Sequence, residues 1–303
     1  MGIPIGQDAG KGRPFMLLRP MIKAIALHTT AMYFLTKWRE SMNRVHLFEF
    51  NDQRWLPRFV TGWMTRILHL SHEETEDGRI WAPKVRDLVR RYGQEKIVDL
   101  CSGGGGPVLE VVRILEQEHG IHPHLTLTDI IPNLQTAREI NEAGNNRVYV
   151  TEPINATDVP RDLQGVRTVF SGFHHLRPSL AFGLLKNAFD CRQHIFIGET
   201  TKRSLRALRV YAPAPYYFFS MTRRISPTPA QRLFTFAVPI LPFMLGWDNL
   251  VSCLRTYSRR EVLEFISQLQ SDDYRWEIGE LWNPALDTAY PYIMGYPVPE
   301  SEG

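Results

Sequence analysis

The run KIVDLCSGGGGPVLEVVRIL, residues 96–115, sets four consecutive glycines between an apolar, β-rich stretch and an apolar, helix-like one. Glycines accumulate where a turn needs backbone angles that side chains resist, or where a ligand must approach bare amides at a helix N-terminus. A strand, a glycine turn and a helix in that order open a nucleotide-shaped site in a parallel sheet. The feature therefore selects an α/β architecture before any other residue is considered.

The sequence around it follows suit. KIVDL, HLTLTD, RVYV, VRTVFSG and HIFIGE read as strands. Between them PVLEVVRILEQEHG, IPNLQTAREINEAG and PSLAFGLLKNAF have helical periodicity, the first two ending at Gly120 and Gly144. Such a βαβ series needs helices on both faces of a parallel sheet, so the expected fold is open and doubly wound, with its ligand site beyond the carboxyl ends of the strands. SRREVLEFISQL starts a late helix with Ser258 and Glu261 at capping-box spacing, and YRWEIGEL alternates as a strand should.

Residues 1–94 carry helix-like pieces without clear strands and are expected to form a helical lid; residues 95–303 form the cofactor domain. A Pro-punctuated, aromatic insertion at about 200–257 is too long for a plain connection and is expected to cover the substrate. Residues 15–35 are expected to form an amphipathic helix from about Met21, interrupted too often by Arg19, Pro20, Lys23 and His28 to span a membrane.

Composition excludes several classes of function. With 44% hydrophobic and 22% charged residues in 303, the chain can bury one large core, and a formal charge of +3 gives no reason to expect a nucleic-acid surface. Three cysteines without C-x-x-C pairing argue against a disulfide framework or a structural zinc, no metal is expected, and a reducing cytoplasm fits best. A P-loop is excluded because Pro107 follows Gly106 where a lysine is needed. The dinucleotide pattern G-x-G-x-x-G fails because its third glycine falls on Val108 or Leu109.

The stretch Asp99-Leu100-Cys101-Ser102-Gly103-Gly104-Gly105 resembles the first motif of class I S-adenosylmethionine-dependent methyltransferases, an acidic residue followed by G-x-G-x-G, with Cys101 at the first glycine. Three later stretches extend the resemblance. LTLTDIIPN ends its strand on Asp129, followed by Ile130, where the family carries the acidic residue that accepts both ribose hydroxyls. EPINATDVP resembles the adenine-edge segment, with Asn155, Ala156 and Asp158 at its aspartate, alanine and second aspartate. TVFSGFHHLRP resembles the fourth-strand motif of small-molecule members, with Ser171 near the cofactor's amino group and His174 and His175 facing the methyl-transfer site.

The resemblance covers about residues 95–200 and the final strands. It implies a Rossmann-like methyltransferase fold with a mostly parallel seven-stranded sheet, S-adenosylmethionine as cofactor, and a small-molecule methyl acceptor. The residues leave bland alternatives open. The glycine run can instead be a structural turn, Asp129 a helix N-cap, both histidines structural groups, and Glu199 a partner of Lys202 or Arg203.

Methyl transfer from a sulfonium needs mainly positioning, and a hydroxyl acceptor adds one demand: a histidine titrating near neutrality, His174 or His175, to remove its proton. Trp55, Tyr216, Tyr217, Phe243 and Trp247 suggest an apolar acceptor, of ring-containing or isoprenoid type, and Asp248 is expected either to orient a polar group of it or to cap the helix running toward Cys253. O-methylation is thus favoured over N- or C-methylation. A peripheral enzyme acting on a quinone or lipid, with weak membrane-surface contact at residues 15–35 and 233–247, is the second expectation, and a non-catalytic cofactor-binding protein the third.

Overall fold

Ile97, Val98 and Leu100 are apolar on both faces of their strand and are buried, as expected for the centre of a parallel sheet covered on both sides. The computed structural model describes residues 43–53, 55–204 and 212–298; the expected amphipathic helix at 15–35 lies outside them. Seven strands form one sheet: β1 (Lys96–Leu100), β2 (His124–Thr128), β3 (Arg147–Tyr149), β4 (Val166–Phe170), β5 (Ile195–Gly198), β6 (Tyr274–Asn283) and β7 (Thr288–Pro297). Their order is β3-β2-β1-β4-β5-β7-β6. The first five strands pair in parallel, while β7 runs antiparallel to both β5 and β6. This is the doubly wound, mostly parallel sheet of the Rossmann-like methyltransferase fold. Strand order reverses between β1 and β4, so the crevice for a ligand opens there.

Helices α1 (Arg58–Glu74), α2 (Asp77–Tyr92), α3 (Gly106–His119), α4 (Leu134–Ala143), α5 (Pro178–Asp190), α6 (Ala214–Met221), α7 (Pro229–Arg232), α8 (Ile240–Arg255) and α9 (Arg259–Ile266) follow in chain order. One sheet face is covered by α2, α3 and α4, through residues such as Trp81, Val85, Val111, Leu115 and Ala137. The other face is covered by α5 and α9, through Leu184, Leu185, Val262 and Ile266. Local chemistry fixes the ends. Asn133 caps α4 by accepting from the amides of Gln135 and Thr136, and α9 begins with the expected Ser258–Glu261 capping box.

A third core joins α1 to the insertion. Trp63, Met64 and Ile67 pack with Ala214, Phe218, Met221, Leu241 and Leu245, so the insertion is a helical cap seated on α1. The N-terminal part divides differently from the expected 1–94 lid. Trp81, Val85, Leu88 and Val89 of α2 pack in the core under the sheet, so a boundary at residue 95 would strip one face of a helix. Among the described residues no single helix is long and apolar enough to cross a membrane; one bent pair, Pro229–Ala237 with Ile240–Arg255, passes on length and composition at an angle of 74°.

Trp81 anchors the α2 face. Its ring is fully buried, lies 5.0 Å from Phe170 and 5.8 Å from Tyr290 between centroids, and rests where a Cβ on Gly198 would approach to 2.8 Å. Replacing Trp81 with Ala should cost about 3 to 5 kcal/mol of stability, the usual loss for a large buried aromatic. It should appear as a lower urea midpoint with an unchanged slope.

Candidate active site

The glycine turn is built on a buried carboxylate. Asp99 ends near the tip of β1, and its Oδ1 accepts from the Thr168 hydroxyl at 2.6 Å while its Oδ2 accepts from the Ser102 hydroxyl at 2.7 Å. Ser102 also ties the turn to β2, because its oxygen accepts the Thr128 amide at 3.1 Å and its own amide donates to the Thr128 carbonyl at 3.0 Å. Burial pushes the Asp99 carboxyl up to about 7, against the pull of the two hydroxyls. Asp99 therefore shapes the turn from beneath.

Above it the backbone bends sharply. Cys101, Gly103 and Gly105 all have left-handed φ values, +57°, +50° and +78°. The two glycines differ in what a side chain would meet. A Cβ on Gly105 would press on Leu109 at 3.2 Å and Leu127 at 3.4 Å, both protein side chains. Gly105 starts α3 and keeps the turn packed on the sheet. A Cβ on Gly103 meets nothing within 4 Å, so its open side is where a ligand can approach the backbone.

Asp129 stands beside that opening. Its Oδ2 accepts the Gly103 amide at 2.8 Å and its Oδ1 accepts the Ile131 amide at 2.8 Å, and the α4 N-cap is Asn133, so the N-cap alternative for Asp129 falls. A carboxylate has about four lone-pair positions, which leaves both oxygens able to accept again. Tyr149, whose hydroxyl donates to the Gly103 carbonyl at 2.8 Å, braces the same turn; nothing in its local sequence announced that contact. Ile130 is 55% exposed next to Asp129, as an apolar side chain awaiting a flat ligand would be.

The expected adenine edge is less simple. Asn155 is exposed, and its side-chain oxygen already accepts from the Thr157 amide at 3.0 Å and hydroxyl at 2.9 Å. The oxygen expected to receive an adenine amine is thus engaged in a local turn. Ala156 behind it is buried. Ser171, left-handed at φ +50°, closes β4 with its hydroxyl 3.0 Å from that of Thr200.

An open glycine face, a carboxylate with spare lone pairs at the adjacent strand tip and an exposed apolar residue beside it fit the ribose and methionine portions of S-adenosylmethionine. No lysine or phosphate cradle accompanies them.

Beyond β4 and β5 lies a dense polar cluster. Burial and chain order put His174, in the short turn Phe173–His175, against Glu199, which follows β5. His174 Nδ1 lies 2.6 Å from Glu199 Oε2, and the His174 amide donates to Oε1 at 3.0 Å. The carboxylate accepts, so a ring hydrogen belongs on Nδ1. The ring's Nε2 is buried and has no hydrogen-bond partner among the described residues. Glu199 is therefore taken by His174 and not by Lys202, which pairs with Glu280, or Arg203, which pairs with Glu261.

His175 stacks on His174 with ring centroids 4.3 Å apart. Its Nδ1 lies 3.0 Å from Asp52 and 3.2 Å from Arg255 Nη1, and its Nε2 lies 3.7 Å from Glu49 Oε2. Arg255 pairs with Glu49 at 3.1 Å and Asp52 at 2.9 Å. Burial pushes the Glu49 carboxyl up to about 7 despite His175 and Arg255. Burial acts in the same sense on the more exposed Asp52, but hydrogen bonds and charge from His175 and Arg255 outweigh it and hold that carboxyl below the usual range. Glu49, Asp52 and Arg255 were not singled out from the sequence, since residues so distant in the chain leave no spacing signal.

The aromatic residues separate. Phe243 and Trp247 line an apolar groove of ≈ 520 Å³ with Phe48, Phe50, Ile240 and Met244, among others. Trp55 and Tyr216 are 70% and 77% exposed and outside its lining, while Tyr217 is half-buried against the α1 core with its hydroxyl 3.2 Å from Glu74. Asp248 is not among the groove's lining residues, and it lies within α8 instead of capping the start of the helix that runs to Cys253. It is buried, and its oxygens accept the amides of Phe50 at 2.7 Å and Asn51 at 2.9 Å.

No known family profile and no curated protein matches the chain. Among solved structures it is similar to the plantazolicin methyltransferase BpumL in complex with SAH, at 11% identity over 79% of this chain and 89% of that one, with a TM-score of 0.46. It is also similar to a SAM dependent methyltransferase from Aquifex aeolicus, at 13% over 77% and 96% with a TM-score of 0.42. A third likeness is to magnesium protoporphyrin IX methyltransferase from Synechocystis with bound SAM, at 10% over 81% and 87% with a TM-score of 0.39. At TM-scores below 0.5 these likenesses carry no weight beside the strand order and side-chain geometry of the chain itself.

The buried Asp99 gives a test of the turn. Its folded pKa of about 7 exceeds the ordinary 3.8, so the folded chain holds a proton that the unfolded chain releases, and stability falls as pH rises from about 4 to 7. Asp99→Asn removes this dependence. Its stability relative to wild type should improve between pH 5 and pH 8 in denaturant unfolding, and a constant difference would show that Asp99 is ionised throughout.

Proposed function

We propose that the protein transfers a methyl group from S-adenosylmethionine to a small, largely apolar acceptor, a hydroxyl in preference to nitrogen or carbon. The observation that carries this reading is the pairing of Gly103, with open space where a side chain would stand, with Asp129, which accepts the Gly103 amide and keeps lone pairs on both oxygens. Bound there, S-adenosylmethionine would supply an electrophilic methyl on a sulfonium. The chain's own part is to hold Asp129 against the ribose, keep the Gly103 backbone bare, and place an acceptor at the ends of β4 and β5. Preference for a hydroxyl is supported by two imidazoles, each with a carboxylate at Nδ1, because oxygen must lose its proton where an amine needs little help. The apolar groove beside Phe48 and Phe50 supports an acceptor with a ring or an isoprenoid tail.

A second reading, a peripheral enzyme that draws a quinone or lipid from a membrane surface, is favoured by one observation. Leu233, Phe236, Val238, Ile240 and Phe243 are all exposed along the bent helix pair, from 39% to 62%. Flotation with vesicles of neutral and anionic lipid separates the readings: co-flotation supports the membrane enzyme, and a chain left in the soluble fraction supports an acceptor taken from solution.

Two measurements test the core of the proposal. Isothermal titration should show one site for S-adenosylmethionine, and Asp129→Ala should weaken it by about 2 to 3 kcal/mol through loss of charge-assisted hydrogen bonds. Heat with a nicotinamide dinucleotide and none with S-adenosylmethionine would overturn the cofactor assignment. With a panel of phenolic acceptors, His174→Ala should lower turnover by ~10²-fold or more while cofactor affinity stays nearly unchanged. An unchanged turnover in both His174→Ala and His175→Ala would remove the histidine pair from the chemistry.

A further inference from the structure

We infer that Glu49, His174 and His175 form a binding site for a first-row divalent cation of the zinc, cobalt or manganese class. One donor atom from each residue lies within 4.8 Å of the other two, a separation that small side-chain adjustments close onto an ion bonded at about 2.0 to 2.2 Å. Two imidazoles and one carboxylate, with remaining positions open, are a donor set suited to such ions.

Three further features point the same way. The first is the pair of outer carboxylates: Glu199 at 2.6 Å from His174 Nδ1 and Asp52 at 3.0 Å from His175 Nδ1. Metal-ligating histidines are commonly held in this way, with the second nitrogen turned to the ion. The second is the His174 Nε2, which is buried on a residue only 3% exposed and has no hydrogen-bond partner among the described residues. A buried imidazole nitrogen left unpaired is costly, and a cation satisfies it.

The third is charge. Glu49, Asp52, Glu199 and Asp248 bring carboxyl groups around the two rings, with Arg255 on Glu49 and Asp52, and Arg44 donating to the His174 carbonyl at 2.9 Å. A cation held between the rings would meet these carboxyl groups at close range.

Glu49 is suited to share itself: its Oε1 meets Arg255 at 3.1 Å and accepts from Ser252 at 3.1 Å, which leaves Oε2 toward His175. The site stands on these contacts alone. Only its consequence rests on the methyl-transfer reading: a cation there would bind an acceptor hydroxyl and lower its pKa, so that the histidines act through the ion and not as free bases.

The test uses untagged full-length protein stripped with a chelator. Titration with Zn²⁺ should show one equivalent bound, and Co²⁺ should produce a visible absorption band typical of nitrogen and oxygen ligands. Glu199→Gln should weaken Zn²⁺ binding by ~10- to 100-fold, the usual effect of losing an outer carboxylate, and His174→Ala by more. Cooperative thermal unfolding of each variant establishes that it is folded, and the wild-type Co²⁺ spectrum decides the matter should a variant fail to fold. A wild-type chain that binds neither ion stoichiometrically, or a folded His174→Ala that binds as wild type does, overturns the site. S-adenosylmethionine is titrated separately in the same samples. Loss of that binding with cation binding intact refutes the cofactor reading alone, and the reverse refutes the cation site alone.

Discussion

The Asp99 carboxylate, fully enclosed between the Thr168 and Ser102 hydroxyls, fixes the geometry on which the cofactor side depends. Thr168 belongs to β4 and Ser102 to the glycine turn, so one side chain joins the two strands at the switch point to the loop between them. Thr128, at the end of β2, donates its hydroxyl to the Asp99 carbonyl at 2.9 Å and brings the third strand into register. Asp129 follows directly, and its position relative to the Gly103 amide is inherited from this arrangement. An unpaired buried carboxyl would be expensive, but two hydroxyl donors and a raised pKa make it tolerable.

The histidine side is organised by a different device, a strap at residues 44–52 that ends in the short 3-10 turn Phe50–Asp52. Arg44 donates to the carbonyls of His174 and Leu176, each at 2.9 Å, and its guanidinium lies 4.3 Å from the Tyr257 ring centroid. Arg255 donates to the Leu47 carbonyl from α8. Asp248 holds the amides of Phe50 and Asn51. The strap is therefore fixed at three points to the turn after β4 and to the cap, and it delivers Glu49 to the histidines. Cap and sheet share a polar centre here, where a purely apolar lid would leave the histidine turn without partners.

Reading the sequence recovers the cofactor half far better than the acceptor half, for a physical reason. Periodicity and turn chemistry are local, so the strands β1 to β5, the Gly120 and Gly144 helix ends and the Ser258–Glu261 capping box are visible in a few residues each. The Asp99-to-Gly105 stretch is local too, although only side-chain positions reveal that Gly103 faces open space and Gly105 faces Leu109 and Leu127. Glu49, Asp52, Asp248 and Arg255 act across long sequence separations, and no pattern marks them. Asp248 looked like a substrate group or a helix cap because its partners, two backbone amides of the strap, are invisible in any one-dimensional reading. The α2 layer was assigned to a lid for the opposite reason: a helix without a flanking strand gives no sign of which core it joins.

Alternation along the strap has a consequence for how such a site can diversify. Phe48 and Phe50 line the groove, whereas Glu49 between them is buried toward the histidines. Asp248 grips backbone amides and Arg255 a backbone carbonyl, so the position of Glu49 does not depend on which side chains its neighbours carry. Residues 48 and 243 are thus free to drift in size and shape, and a lineage can explore new ligands for the groove while the acid between its two phenylalanines stays in place.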